Sequence, residues 1–208
     1  MKIIDKKNSE IIDDTNLNSK FISVQMKQLD LNCNILKDDF YSDSFNYFPI
    51  TEDLNTFSEA FSWGEKMQYE KFYNKNFVEE FTKNKQSFRS LSEIYILGSS
   101  PGNNYYRNLI TFLPRLFFIH GDKVKLAIHR NLTNKFKNFI KYLCNKRGIK
   151  VQFVFLDDEF YSFKNSQIPS FLSYKDSFKI LNSLKELNSD PNNKIYLSRQ
   201  KSSYRNLI

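Results

Sequence analysis

Glycine is scarce, at 5 of 208 residues, and no run of the glycine-rich phosphate-loop type exists, which excludes a P-loop and a dinucleotide fingerprint as the sequence signatures of this chain. Cysteine is equally sparse. Cys33 and Cys144 are far apart and outside any metal-ligand or CxxC spacing, which excludes a disulfide framework and a zinc knuckle and fits a reducing, cytoplasmic compartment. The two histidines, His120 and His129, share no motif with each other or with a Ser or Cys nucleophile; His129 ends a strand and could face a cleft there, with a structural role as the expectation. Long apolar runs are missing too. The most apolar stretch, 109–119, is too short to cross a bilayer and contains Pro114 and Arg115, and the polar first twenty residues lack the apolar core of a signal peptide. A soluble cytoplasmic protein is expected, with peripheral contact at the inner membrane surface as its closest approach to lipid.

What is present is apolar and basic. Hydrophobic residues make up 40% and aromatics 16%, enough for a real core, and 31 Lys and Arg against 23 Asp and Glu leave a net charge of +8 that favours anionic partners. Much of the aromatic, Lys, Asn and Ile content also matches AT-rich codon usage, which leaves a solvated basic surface as the competing reading of that charge.

Residues 1–90 show weak periodicity: a strand at Phe21–Met26, an acidic stretch over 38–43, and scattered rings, read as an N-terminal segment packing on the core. From Leu91 the pattern sharpens. Ile94–Leu97 is a short buried strand closed by Gly98-Ser99-Ser100-Pro101-Gly102, and a helix is expected over 104–119 with a break at Pro114. Val124–Ile128 is the next strand. Thr133 caps a helix with Phe136, Phe139, Ile140, Leu143 and Cys144 on one face and Gly148 just beyond its end, and Ile149–Leu156 is a strand of the kind buried on both faces. Ser173 precedes a further helix with Phe178, Leu181 and Leu184 on one side, and a turn at 190–193 leads into a strand at 194–197. Alternation of this kind predicts an α/β fold, a Rossmann-like parallel sheet with flanking helices over 91–193.

Three constellations are candidates for chemistry. Ser198, Arg199 and Arg205 follow the last strand, and a guanidinium presents a planar fork matched to phosphate oxygens. Asn104, Tyr105, Tyr106 and Arg107 open the helix after the 94–97 strand, at the sheet edge where ligands of open α/β sheets bind. Asp157-Asp158-Glu159 follow the 149–156 strand; carboxylates there can hold Mg²⁺ on a diphosphate, although a solvated acidic turn is the simpler reading, and neither a metal nor a cofactor is expected.

Two of these segments resemble glycosyltransferase family 61, the capsular polysaccharide biosynthesis type. Asn104-Tyr105-Tyr106-Arg107-Asn108 running to Leu113-Pro114-Arg115-Leu116 is similar to the family's Asn-aromatic-Tyr-His-Trp helix ending in Leu-Pro-Arg-Leu, and Ile195-Tyr196-Leu197-Ser198-Arg199 continuing to Arg205 is similar to its strand-Ser-Arg loop. The resemblance implies the N-terminal half of a GT-B architecture and inverting transfer of a sugar from a nucleotide-sugar donor to a hydroxyl acceptor in surface polysaccharide synthesis. Ser198, Arg199 and Arg205 would bind the donor diphosphate; Asn104 to Arg107 would line the acceptor side. Arg107 stands where the family has His and cannot act as a base, so the catalytic base is left unassigned. By the same resemblance, 194–208 begins a donor-binding region truncated here, which a partner chain would supply if the protein is not inactive alone. The alternative from composition is a basic, aromatic-rich α/β module for nucleic acid.

Overall fold

The structure, a computed structural model, describes residues 2–4, 21–26, 29, 31–44, 47–57, 75–100 and 102–184. Nine strands lie among them: β1 (Lys2–Ile4), β2 (Phe21–Met26), β3 (Leu31–Asp43), β4 (Asn55–Phe57), β5 (Arg89–Ser92), β6 (Ile94–Ile96), β7 (Lys123–His129), β8 (Lys150–Leu156) and β9 (Phe160–Pro169). The α-helices are α1 (Lys75–Asn84), α2 (Tyr105–Arg107), α3 (Asn134–Lys146) and α4 (Tyr174–Ser183). The main sheet runs β2-β3-β9-β6-β7-β8, with β5 beside β9 and a separate β1-β4 pair.

The β7-α3-β8 unit forms as its sequence reads in order and boundaries, but β8 is not buried on both faces: it ends the sheet order, and among its residues only Leu156 is buried. The Thr133 side chain accepts from the Phe136 N–H, Phe136, Ile140, Leu143 and Cys144 are buried, and Gly148 adopts a φ of +73° after the helix. Strands β6, β7, β8 and β9 run parallel, but β3 pairs antiparallel with both β2 and β9, so the sheet is mixed rather than purely parallel. The 13-residue β3 escapes sequence reading because its acidic second half resembles a solvated loop. Two further expectations change. The helix over 104–119 is one α-turn at α2, a π-turn at Asn108–Phe112 and a 3₁₀ stretch at Leu113–Phe118, with Pro114 unable to donate into a regular ladder. Phe178 is exposed, while Ser177 and Ile180 carry the buried side of α4.

The sheet turns a corner. Three neighbouring strands become irregular at one level: β3 shifts register between Asp38 and Phe40, Glu93 separates β5 from β6 with a φ of 56°, and Asn165 in β9 has a φ of 43°. Asp39 Oδ1 accepts the Asn165 N–H at 2.7 Å, and the Glu93 N–H donates to Lys164 O at 3.0 Å, which stitches the corner together. The bend is required by chain length. Gln167 is level with Phe153 through Tyr95 and Leu126, so in a flat sheet Leu156 and Phe160 would be about ten residues, roughly 33 Å, apart along the strands, whereas the 157–159 connection reaches about 14 Å. The far leaf, made of β5 and the ends of β3 and β9 beyond the corner, therefore folds back over one face of the parallel strands.

Packing follows from that. Tyr95, Leu126 and Ile128 on one face meet α3, α4 and the 3₁₀ stretch through Ile140, Ile180 and Leu116. On the other face Ile96, Ala127 and Leu156 meet Phe40, Tyr161 and Phe163 of the folded leaf. The outer side of the leaf is covered by Phe81 of α1 with Tyr41, Phe48 and Ile50. No described helix is long and apolar enough to cross a membrane.

Burial also sets a pH limit. Desolvation pushes the Cys144 thiol from 9.0 up to about 11, against a smaller opposing pull from Arg147, and raises the Tyr47 and Tyr95 phenols. In each case the folded state favours the protonated form, so that stability is present below the unfolded values and is lost as pH rises from about 9 through the folded ones. The urea midpoint is expected to stay level up to about pH 9 and to fall above it; a level midpoint at about pH 10.5 would contradict this account.

Candidate active site at the strand mouth

The C-terminal ends of β6, β7 and β8 converge on one rim. After β6 the chain turns through Gly98 at a φ of +76°, and the Ser99 Oγ accepts the His129 N–H at 2.9 Å, tying the end of β6 to the end of β7. Tyr47, fully buried, donates its hydroxyl to Ser99 O and accepts the Ser99 N–H, both at 3.1 Å. Ser100 N–H donates to Asn108 Oδ1 at 2.6 Å, while the buried Nδ2 of Asn108 has no partner among the described residues. The rim is therefore a rigid, hydrogen-bonded turn rather than a loose loop.

His129 is 1% exposed, and both ring nitrogens are engaged. Its Nδ1 accepts the Asn131 N–H at 3.1 Å, which places the proton on Nε2, where it is donated to Asp158 Oδ1 at 2.9 Å. The Asp158 side chain itself is 70% exposed. A buried, neutral imidazole thus holds an accessible carboxylate in one orientation. The next carboxylate inward, Asp157, is ion-paired with Arg130, its carbonyl accepts from Ser44 Oγ, and its N–H donates to the Tyr161 hydroxyl at 2.8 Å, so it acts as a structural tie.

Asp158 and Glu159 line an open groove of about 940 Å³ together with Asp43, Arg89, Phe88 and Phe160. The two phenyl rings stack at 5.5 Å with 26° between their planes and give the groove an apolar part to its lining. Asp43 Oδ1 accepts the Tyr47 N–H at 3.3 Å, which anchors the groove to the same rim. Such a groove can accept hydroxyl protons at its carboxylates and cover the C–H face of a ring with its phenyls. Among the described residues no group of three or more His, Cys, Asp or Glu is arranged to hold a metal ion, so the 157–159 carboxylates form no such centre.

Of the sequence-derived candidates beyond the acidic turn, Asn104, Tyr105, Tyr106 and Arg107 are not among the described residues that line this groove, and the others lie outside the described residues. Gly102 lines it, and Asn104 follows two residues later, spending its side chain on an N-cap to the Arg107 N–H at 3.0 Å. Tyr105 packs edge-on against Phe136 at 5.6 Å, Tyr106 is about half exposed, and Arg107 stacks over Phe112 at 5.5 Å. Ser198, Arg199 and Arg205 lie outside the described residues. Sequence reasoning treated His129 and the acidic turn separately. Their link was readable from strand register alone, because His129 pairs with Leu156 and Asp158 follows two residues on.

Comparison of the chain with protein-family models, with curated proteins and with solved structures finds no match.

Proposed function

We propose that this protein takes part in sugar transfer from a nucleotide-sugar donor to a hydroxyl acceptor of the kind used in surface polysaccharide synthesis, with the groove at the strand mouth receiving the acceptor. The supporting observation is Asp158, an exposed carboxylate oriented by buried His129 beside a phenyl-walled groove at the C-terminal ends of parallel strands. In this reading Asp158 takes the proton of the acceptor hydroxyl while its oxygen attacks the anomeric carbon. The bond from that carbon to the diphosphate breaks with its electron pair leaving on the diphosphate, whose charge Arg199 and Arg205 meet together with Ser198. His129 is a positioning residue: with its proton committed to Asp158 and its other nitrogen to a backbone N–H, it fixes the carboxylate and takes no proton itself. Membership of glycosyltransferase family 61 and a GT-B arrangement are part of this proposal and rest on the two sequence motifs.

The nucleic-acid alternative has less support. Phe155, an exposed ring on β8, carries Lys137 at 4.8 Å over its face, and Phe153 carries Lys141 at 5.5 Å, so the chain's own lysines occupy faces that bases would stack on.

Titration with uridine diphosphate, followed by saccharide-dependent release of the diphosphate from a panel of nucleotide sugars, tests the proposal. Arg199→Ala with Arg205→Ala is expected to weaken diphosphate binding by about a hundredfold. Asp158→Asn should leave diphosphate binding intact and slow release by a factor on the order of a hundred or more. Unchanged diphosphate affinity in the double variant would refute the clamp, and unchanged release in Asp158→Asn would refute the base.

A further inference from the structure

At the opposite ends of the same strands lies a second concavity, of about 550 Å³, whose lining carries four lysines, Lys37, Lys123, Lys125 and Lys150, beside His120. Glu93 is the one carboxylate among its described lining residues, and it pairs with Lys125 at 3.5 Å. Lys123 and Lys150 are in direct register on neighbouring parallel strands β7 and β8, so their side chains leave the sheet on the same face one strand spacing apart. Neither has a carboxylate within salt-bridge distance among the described residues, and both are exposed. Like charges placed opposite each other across a ladder are destabilising. A sheet end that keeps such a pair uncompensated, inside a concavity with further ammonium groups, has the electrostatic form of a site for a compact polyanion.

We infer that this concavity binds a small, multiply charged phosphate ligand, with Lys123 and Lys150 as its central contacts. The inference is independent of the sugar-transfer proposal, since the two sites sit at opposite ends of the strands. Phosphate chemistry fits better than a carboxylate because a polyphosphate carries several charges within the roughly 5 Å that separates adjacent strands, so one ligand can neutralise both lysines at once. The source is either a free polyphosphate compound or the headgroup of an anionic lipid.

Inorganic tripolyphosphate and vesicles of phosphatidylglycerol distinguish these sources. Tripolyphosphate is expected to bind saturably, to raise the melting temperature, and to weaken as salt rises. Lys150→Glu is the decisive variant. It places opposite charges in register, so the ligand-free protein should be at least as stable as the wild type, while tripolyphosphate affinity falls roughly tenfold or more, the equivalent of one charge-assisted contact. Vesicle co-sedimentation that tripolyphosphate displaces and Lys150→Glu abolishes would name the headgroup as the source; tripolyphosphate binding without vesicle binding would name the soluble compound. Absence of both, or binding to either that Lys150→Glu and Lys123→Gln leave unchanged, would overturn the site. Binding confined to single-stranded oligonucleotides would overturn it as well, in favour of nucleic acid.

Discussion

Replacing Arg115 by alanine is expected to destabilise the protein by about 3–5 kcal/mol, the scale of two charge-assisted hydrogen bonds lost together, out of the roughly 5–15 kcal/mol that holds a domain folded. The guanidinium is fully buried. It donates from one terminal nitrogen to Leu97 O at 2.9 Å and from the other to Pro169 O at 2.7 Å, and its plane lies over Phe171 at 4.3 Å. Those carbonyls close the ends of β6 and β9, which separate at that point, so the arginine substitutes for ladder hydrogen bonds where the strands diverge. Alanine would leave both oxygens in the core without their donors and open a cavity beneath Phe171. Arg115→Lys is expected to fall short of rescue, because a single ammonium cannot reproduce a planar fork that also stacks. Arg115→Met, which fills the volume and removes the buried charge, should recover part of the loss. The check is the urea midpoint at unchanged m-value; an alanine variant within about 1 kcal/mol of wild type would mean that the fork is dispensable.

The second large effect is expected at Gly98. Its φ of +76° costs an L-residue about 1–2 kcal/mol, and a Cβ there would sit 2.9 Å from two carbons of the Phe112 ring and 3.1 Å from the Tyr47 ring. Neither ring can withdraw freely. The two pack edge to face at 5.6 Å within the core, and Tyr47 is pinned by its paired hydrogen bonds to Ser99. Adding the overpacking, Gly98→Ala should lose about 2–4 kcal/mol. Gly148 supplies the control, since it has a similar φ of +73° and nothing within 4 Å of its would-be Cβ. Gly148→Ala should therefore show the backbone cost alone, and equal losses at the two glycines would show that the rings yield. Because the Ser99 Oγ holds the His129 N–H, displacement of Tyr47 would also reach the His129–Asp158 pair, coupling core packing to the proposed base.

How far the fold was legible depends on the range of the interactions concerned. Helix α3 was readable because its determinants are local: Thr133 for the cap, an apolar stripe from Phe136 to Cys144, and Gly148 for the left-handed exit. Strand β7 was readable because its second half is buried on both faces; β8 announced itself by its apolar run, but the expectation that it is buried on both faces fails, since it ends the sheet order and only Leu156 is buried. Strand β9 was not. Phe160–Pro169 mixes rings with Ser, Lys, Asn and Gln, and its partners lie in β3 and β5, more than sixty residues away in sequence. The polar residues Asp39, Glu93 and Asn165 look like turn signals in isolation, and each is one locally; only their alignment across three strands converts three interruptions into one corner.

The candidate site divides in the same way. Its Asn104–Arg107 and acidic-turn components could be named from their places after strands, while the partnership of His129 with Asp158 arises from β7 and β8 lying side by side in parallel. The phenyl wall has a more distant origin. Phe88 precedes β5 and Phe160 opens β9, and both reach the strand mouth because the sheet folds back on itself.

Sequence alone therefore determined the alternating α/β character, the β7-α3-β8 unit and the rim at the ends of its strands, since helix caps, hydrophobic period and strand burial act over a few residues. The mixed sheet, its corner, the buried Arg115 fork and the groove were decided by tertiary structure, because each depends on hydrogen bonds or contacts between segments whose proximity no local pattern encodes.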